Sequence, residues 1–160
     1  MDDFKRPSKS HLMTYHIGRG EQGVLTYEPY KSYLLPHWRF RTIPIAQKSS
    51  KILWEKFLQF YDNDDFVGMD MARKFIQMGM TRSKRYANYK GGRKYVDGKE
   101  KGVQNERSQG HEGKEEKEEA SMVFRVVWER CKEHEGYLEM KKEFQKEQKE
   151  WVKSERKDDD

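Results

Sequence analysis

Apolar side chains recur at helical spacing in three stretches of the chain. In the first stretch, Leu53, Phe57 and Phe60 lie three or four residues apart, which places them on one face of an α-helix. Serines at the start of the pattern favour the N-cap position, so a helix is predicted over about 49–61. The acidic run 62–65 ends this helix and supplies an N-cap for the next one.

A second helix is predicted after that acidic run, with Met71, Phe75 and Met78 facing inward. Its opposite side carries a polar stripe made of Asp70, Arg73, Lys74, Gln77 and Thr81. A glycine inside a helix costs only about 1 kcal/mol, so the helix either continues through Gly79 or divides there. We expect a break or kink, because continuity would place Arg82 on the apolar face.

The third pattern falls in a C-terminal helical region. Its first half carries Val123, Val127 and Cys131 on one stripe and is expected to dock on the rest of the domain. Its second half, beyond Gly136, keeps a narrower stripe among lysines and glutamates: Tyr137, Met140, Phe144 and Trp151. We interpret this second half as a projecting arm or a helix that binds a protein partner.

The N-terminal part of the chain lacks a helical pattern. Two short strand-like runs flank a glycine-rich turn within 11–27, which predicts a β-hairpin. Prolines among aromatic residues over 28–44 argue for an extended, packed segment. The predicted fold is therefore mainly α, with three to four helices and a small N-terminal hairpin or extended segment. The expected organisation is a flexible N-terminus (1–10), a compact domain (11–96), a disordered linker (97–118), a C-terminal helical region (119–155) and an acidic tail (156–160).

Composition narrows the class of protein. Apolar residues make up 34% of the chain and charged residues 38%, with a mean hydropathy of −1.22. No stretch approaches the roughly 18 apolar residues of a membrane span, so we expect no membrane partner. The single cysteine, Cys131, argues against a disulfide-stapled secreted module and for an intracellular, cytoplasmic or nuclear, location. A transporter and a large two-domain enzyme are also excluded.

Charge is distributed unevenly along the chain. Residues 71–96 contain eight basic side chains and no acidic one, whereas 1–70 has a net charge of +1 and 97–160 a net charge of −4. Such a basic island raises the local electrostatic potential and attracts phosphate-bearing or acidic partners. Tyrosines and the Gly91–Gly92 pair within the island suit base stacking and close approach of the main chain.

Nucleic-acid binding is the function that this island favours, and the alternative is a solvated cationic surface whose charge the acidic C-terminal region balances. The pair Arg39 and Arg41 alternates with Trp38 and Phe40, so we expect the rings inward and the guanidinium groups outward. The arginines then extend the same basic surface. The predicted nucleic-acid-binding residues are Arg73, Lys74, Arg82, Lys84, Arg85, Tyr86, Tyr89, Lys90, Arg93, Lys94, Arg39 and Arg41.

The run 18–23 matches the pattern G-x-G-x-x-G, but a strand-like run follows it instead of the helix that a dinucleotide fold requires. We expect a tight turn with glycines at positive φ. A minority interpretation makes it a phosphate loop formed by Gly18, Arg19, Gly20 and Gly23.

Residues for catalysis or metal binding are scarce. The five histidines lack metal-ligand spacing, and Cys131 lies on an apolar stripe. Helix capping accounts for the acidic run 62–65 without a metal. We therefore predict no catalytic residue, no metal and no cofactor. A small phosphate-handling enzyme that uses Arg19, His37 and Arg39 is a third function, with no recognisable nucleophile or base.

Several segments together resemble an uncharacterised domain-of-unknown-function family of small basic proteins from bacteria, phages and some eukaryotic microbes. They are 18–25 (GRGEQGVL), 28–32 (EPYKS), 35–40 (LPHWRF), 64–68 (DDFVG), 71–75 (MARKF) and 85–92 (RYANYKGG). The resemblance implies one compact domain and no particular chemistry. The sequence thus favours non-catalytic binding of DNA or RNA, with a protein–protein adaptor that uses the C-terminal arm as the runner-up.

Overall fold

Helices dominate the computed structural model, which describes residues 4–89 and 113–158, with side chains through 156. The α-helices are α1 (Lys9–Leu12), α2 (Tyr30–Leu34), α3 (Ile43–Asp62), α4 (Phe66–Asn88), α5 (Lys114–Glu133) and α6 (Glu135–Asp158), and a 3-10 turn, Leu35–His37, follows α2. No strand occurs within these ranges. The mainly helical class is confirmed, whereas three to four helices and an N-terminal hairpin were wrong.

Of the four long helices, α3, α4 and α5 pack against one another, and α4 is the central one. Nearly every side chain of α4 from Phe66 to Ile76 is buried. The helices α4 and α5 run antiparallel, because Lys114 Nζ lies 3.0 Å from the Ala87 carbonyl oxygen and Ser121 Oγ lies 2.9 Å from that of Met80. Because α4 is buried on all sides over this stretch, its polar residues are buried as well.

The helix predicted to start at Ser49 begins earlier, at Ile43. Thr42 caps it by accepting a hydrogen bond from the Ile45 amide at 3.3 Å, and Pro44 fits the first turn, where no backbone N–H is needed. Ser49 is therefore a buried mid-helix residue and not a cap. At the other junction the prediction is confirmed: Asp65 caps α4 through the Gly68 amide.

The expected break at Gly79 does not occur. Helix α4 continues through this residue, and a Cβ atom placed there would lie 2.5 Å from the ring of Phe124 on α5. The glycine allows the two helices to approach closely, so its role is packing and not termination. Arg82 is exposed although the helix is continuous.

Side chains, and not a neighbouring strand, satisfy the backbone where a hairpin was predicted. Gln148 Nε2 donates to the carbonyl oxygens of Met13 and Tyr15 at 2.9 and 2.7 Å. Lys74 Nζ donates to those of His16 and Gln22 at 3.0 and 2.7 Å. Because these carbonyls are already bonded, the segment needs no β partner.

The N-terminal residues pack against the bundle from residue 4 onward, within the segment expected to be flexible. The ring of Phe4 lies 5.0 Å from that of Tyr30, and Arg6 donates to the carbonyl oxygens of Asn63 and Asp64. The segment expected to be extended forms instead α2 and the 3-10 turn. Pro29 is the N-cap residue of α2, and Pro36 lies in the first turn of the 3-10 helix, where no backbone N–H is needed.

The C-terminal helices cover the same core. Helix α5 begins at Lys114, inside the range expected to be a linker, and the break before α6 falls at His134 and not at Gly136. Tyr137 and Phe144 are buried against the domain. The expectation of a projecting arm was therefore wrong, because the apolar stripe of α6 faces the domain's own core.

Within the ranges that the structure describes, no helix combines the length and apolar character that crossing a bilayer requires.

Candidate functional site

Arg39 and Arg41 lie on the surface, in the segment that leads into α3. The side chains of Trp38 and Phe40, which alternate with these arginines, are partly buried and pack on the core. The predicted alternation, with rings inward and guanidinium groups outward, is therefore what the structure shows.

Phe40 brings this segment against the C-terminal end of α4. Its ring lies 5.9 Å from that of Tyr86. Lys117 of α5 joins the two, because its Nζ donates at 3.0 Å to the carbonyl oxygens of Phe40 and Arg41 and lies 5.7 Å from the Tyr86 ring. Two cationic segments that are about forty residues apart in sequence thus meet in space.

The last turns of α4 add further cations. Arg82 is exposed one turn before Tyr86, Arg85 is half-buried, and Tyr86 is 40% exposed. Among the described residues, no ion pair within 4 Å joins Arg82 or Arg85 to a carboxylate. We call Arg39, Arg41, Lys48, Arg82, Arg85 and Tyr86 the cationic face.

The pKa of Lys117 reflects its burial and the closeness of Arg41. Burial lowers its pKa, Glu116 opposes that effect, and the nearby Arg41 lowers the pKa further. Lys84 lies on the other side of α4, in a groove that it shares with Trp128.

A cleft of about 500 Å³ lies beside Arg39 and Arg41. The residues that line it are Pro36, His37, Arg39, Arg41, Ile45, Lys48, Ser49 and Ile52, and none of them is acidic. The buried Ser49 hydroxyl donates to the His37 carbonyl oxygen at 2.6 Å and accepts from the Arg39 amide at 2.9 Å. These two bonds fix the wall of the cleft to α3.

Two predicted phosphate contacts, Arg73 and Lys74, are buried and not on the surface. Arg73 donates to Asp70 Oδ1 from Nη2 at 2.7 Å and from Nε at 3.1 Å. Lys74 Nζ lies 3.9 Å from Asp70 Oδ2. The expected solvated stripe on α4 is thus an internal ion cluster, because other elements cover that side of the helix.

Tyrosines from two further segments complete this cluster. Tyr15 and Tyr137 donate to the carboxylate of Asp70 at 2.5 and 2.6 Å, so the N-terminal segment and α6 are both tied to α4. Burial raises the pKa of each tyrosine, and the adjacent Asp70 raises it further. Burial also lowers the pKa of Lys74 to about 8, against the opposing effect of Asp70. We call Asp70, Arg73, Lys74, Tyr15 and Tyr137 the Asp70 cluster.

The remaining predicted nucleic-acid contacts divide into two groups. Tyr89 is buried. Lys90, Arg93 and Lys94 lie outside the described residues.

The glycine-rich segment forms a turn, with Gly18, Gly20 and Gly23 at φ values of 67°, 60° and 82°. The carbonyl oxygen of Gly20 accepts a hydrogen bond from Arg73, so the turn is tied to the Asp70 cluster. Arg19 is exposed beside a shallow cleft with Lys141, whereas His37 and Arg39 line the cleft beside α3. The three residues of the enzyme hypothesis therefore do not line one cavity.

Metal ligands are not gathered in the part of the chain that the structure describes. No three histidine, cysteine, aspartate or glutamate side chains lie together as metal ligands in those residues. Burial raises the pKa of the Cys131 thiol, which keeps it protonated and poorly nucleophilic.

Sequence reasoning missed Lys48, Lys117 and the role of Asp70. Asp70 precedes Arg73 and Lys74 by three and four residues, which is the spacing of intrahelical ion pairs. This spacing is the signal that could have identified the cluster. Lys117 carried no such signal, because its contacts depend on the packing of α5.

Comparison with known proteins places the chain in a family without assigning it an activity. No curated protein and no solved structure matches it. A family model described as "Domain of unknown function (DUF4385)" matches residues 2–147, and the chain belongs to this family.

Proposed function

We propose that the protein binds nucleic acid without catalysis, through the cationic face. The observation that carries the proposal is the junction of Phe40, Tyr86 and Lys117, which unites two cationic segments on one surface. Guanidinium groups bind phosphate oxygens in a bidentate manner. The half-exposed ring of Tyr86 lies among them and offers a stacking surface for a base.

Charge balance favours an external partner for these arginines. At the start of α5, Glu118 is engaged locally, since it pairs with Lys114 at 3.3 Å within the same helix. Among the residues that the structure describes, no carboxylate pairs with Arg82 or Arg85, which favours a polyanion as their partner. Binding by counterion release at these groups would weaken steeply with salt.

Fluorescence anisotropy tests the proposal with labelled single-stranded and double-stranded DNA and RNA at two salt concentrations. The test variant is Arg82→Glu with Arg85→Glu. Its matched control is Lys146→Glu with Lys149→Glu, which makes the same change in net charge at exposed positions of α6. Circular dichroism of each variant verifies that the helices are retained.

The proposal predicts binding that weakens as salt is added. The affinity of the test variant falls by at least about tenfold, because two cations at phosphate contacts become anions. The control variant keeps most of the affinity. Absence of binding at low salt, or equal losses in both variants, contradicts a role for this face.

A further inference from the structure

The cleft beside Arg39 and Arg41 has two chemically distinct parts. Its lining includes three cations, Arg39, Arg41 and Lys48, which we call the rim, and two aliphatic side chains, Ile45 and Ile52, which we call the floor. A simple counterion site needs no apolar floor. The combination fits a ligand that has a phosphate at one end and a flat apolar surface at the other.

Arg39 is held in place for such a ligand. Its Nη1 donates to the carbonyl oxygens of Trp38 at 2.7 Å and Leu35 at 3.3 Å. A guanidinium group has five N–H donors, so Nε and Nη2 keep three that these two bonds do not use. The backbone amide of Arg39 donates to Ser49 Oγ. Both the backbone and the guanidinium group of Arg39 are therefore held in place before a ligand binds.

The volume of the cleft also suits one nucleotide. At about 500 Å³ it falls within the range of roughly 300–1,000 Å³ typical of small-ligand sites. Ile45 is 38% exposed at the start of α3, so its side chain is available for contact. In a duplex the bases are stacked inside and only phosphates reach such a surface, whereas an unpaired base can enter the cleft.

We infer that this cleft binds one unstacked nucleotide, with its phosphate on the rim of Arg39, Arg41 and Lys48 and its base on Ile45 and Ile52. The inference rests on the proposed function and adds to it a class of ligand. The protein prefers single strands to duplexes, because only a single strand fills both parts of the cleft. A free mononucleotide offers the same chemistry and is the other source of such a ligand.

The test measures anisotropy of labelled oligothymidylate, alone and paired with oligoadenylate of equal length, at low salt. The variant is Ile45→Ser, which removes apolar floor without a change of charge. The matched control is Leu138→Ser, a substitution of a 44% exposed leucine in the first turn of α6. The duplex measurement also reports folding, because a misfolded variant loses both ligands together.

The expected result is single-strand affinity about tenfold above duplex affinity. Ile45→Ser lowers the affinity for the single strand alone by about fivefold or more, because apolar surface covered by the base is lost. Leu138→Ser changes neither affinity. Equal affinities for strand and duplex, or an equal effect of Ile45→Ser on both, overturns the cleft while the cationic face stands. No binding of either ligand overturns the proposed function, and the inference with it.

Thymidine monophosphate separates the two sources of ligand. If the strand is the ligand, the mononucleotide displaces labelled strand from wild type only at a large excess. It displaces labelled strand from Ile45→Ser less effectively than from wild type. Tight binding of the mononucleotide to wild type, with no binding of strands, would overturn the assignment to a nucleic-acid strand.

Discussion

Replacement of Asp70 by asparagine removes the one acid from the Asp70 cluster without a change of shape. The carboxylate is fully buried and accepts hydrogen bonds from Tyr15, Tyr137 and Arg73 at 2.5 to 3.1 Å. An amide nitrogen cannot accept any of these bonds. The change also leaves the buried cations of Arg73 and Lys74 without a counter-charge.

The magnitude follows from burial. Removal of one partner of a buried ion pair costs about 3–5 kcal/mol. With a urea dependence of about 2 kcal/mol per molar, Asp70→Asn should lower the unfolding midpoint by about 2 M. The exposed Asp62→Asn is the matched control and should shift the midpoint by less than about 0.3 M.

Urea unfolding followed by circular dichroism measures both variants. Tyr137→Phe is the milder companion, since it removes one donor and should cost about 1 kcal/mol. A double-mutant cycle of Asp70→Asn with Lys74→Met should show a coupling of at least about 1 kcal/mol. If Asp70→Asn unfolds at the same urea concentration as Asp62→Asn, the cluster does not hold the N-terminal segment and α6 to α4.

Two further predictions follow from buried contacts. Gly79→Ala should destabilise the protein by about 2 kcal/mol, because the overpacking cost against Phe124 exceeds the gain in helix propensity; an unchanged melting temperature would contradict the close approach of α4 and α5. The pKa of Lys74, lowered by burial to about 8, lies below the value of about 10.4 in an unfolded chain. Between these values the unfolded chain holds a proton that the folded protein has released, so the free energy of unfolding should rise with pH from about 8. Above about pH 10 it should fall, because burial and Asp70 raise the pKa of Tyr15 and Tyr137. Urea unfolding across this range should show the rise in wild type and not in Lys74→Met.

The sequence predicted helices best where one side of a helix is apolar. The face of Leu53, Phe57 and Phe60 and the cap at Asp65 were recognisable because both are local features. The polar residues of the central helix were predicted less well, for the opposite reason. Polar residues on α4 suggest a solvated side, and only the covering elements, distant in sequence, show that this side is enclosed.

The candidate site was predictable in composition and not in arrangement. The arginines of residues 39–41 and 82–85 were recognised as cationic patches from sequence alone. Their proximity depends on the contact of Phe40 with Tyr86 and on Lys117, which is a consequence of tertiary packing. The prediction of an N-terminal hairpin was wrong for a related reason. The hydrogen-bond donors to the backbone of this segment come from Lys74 and Gln148, which are distant in sequence.

The salt dependence of nucleic-acid affinity tests most directly whether the two cationic segments act as one face. It should be measured for wild type, for Arg39→Gln with Arg41→Gln, and for Arg82→Gln with Arg85→Gln. Each lost phosphate contact reduces the slope of log K against log salt by about 0.7 for a single strand. The account predicts a shallower slope, by about 1.4, in both double variants. A wild-type slope near zero, or a slope that only one pair of arginines changes, would contradict a shared binding face.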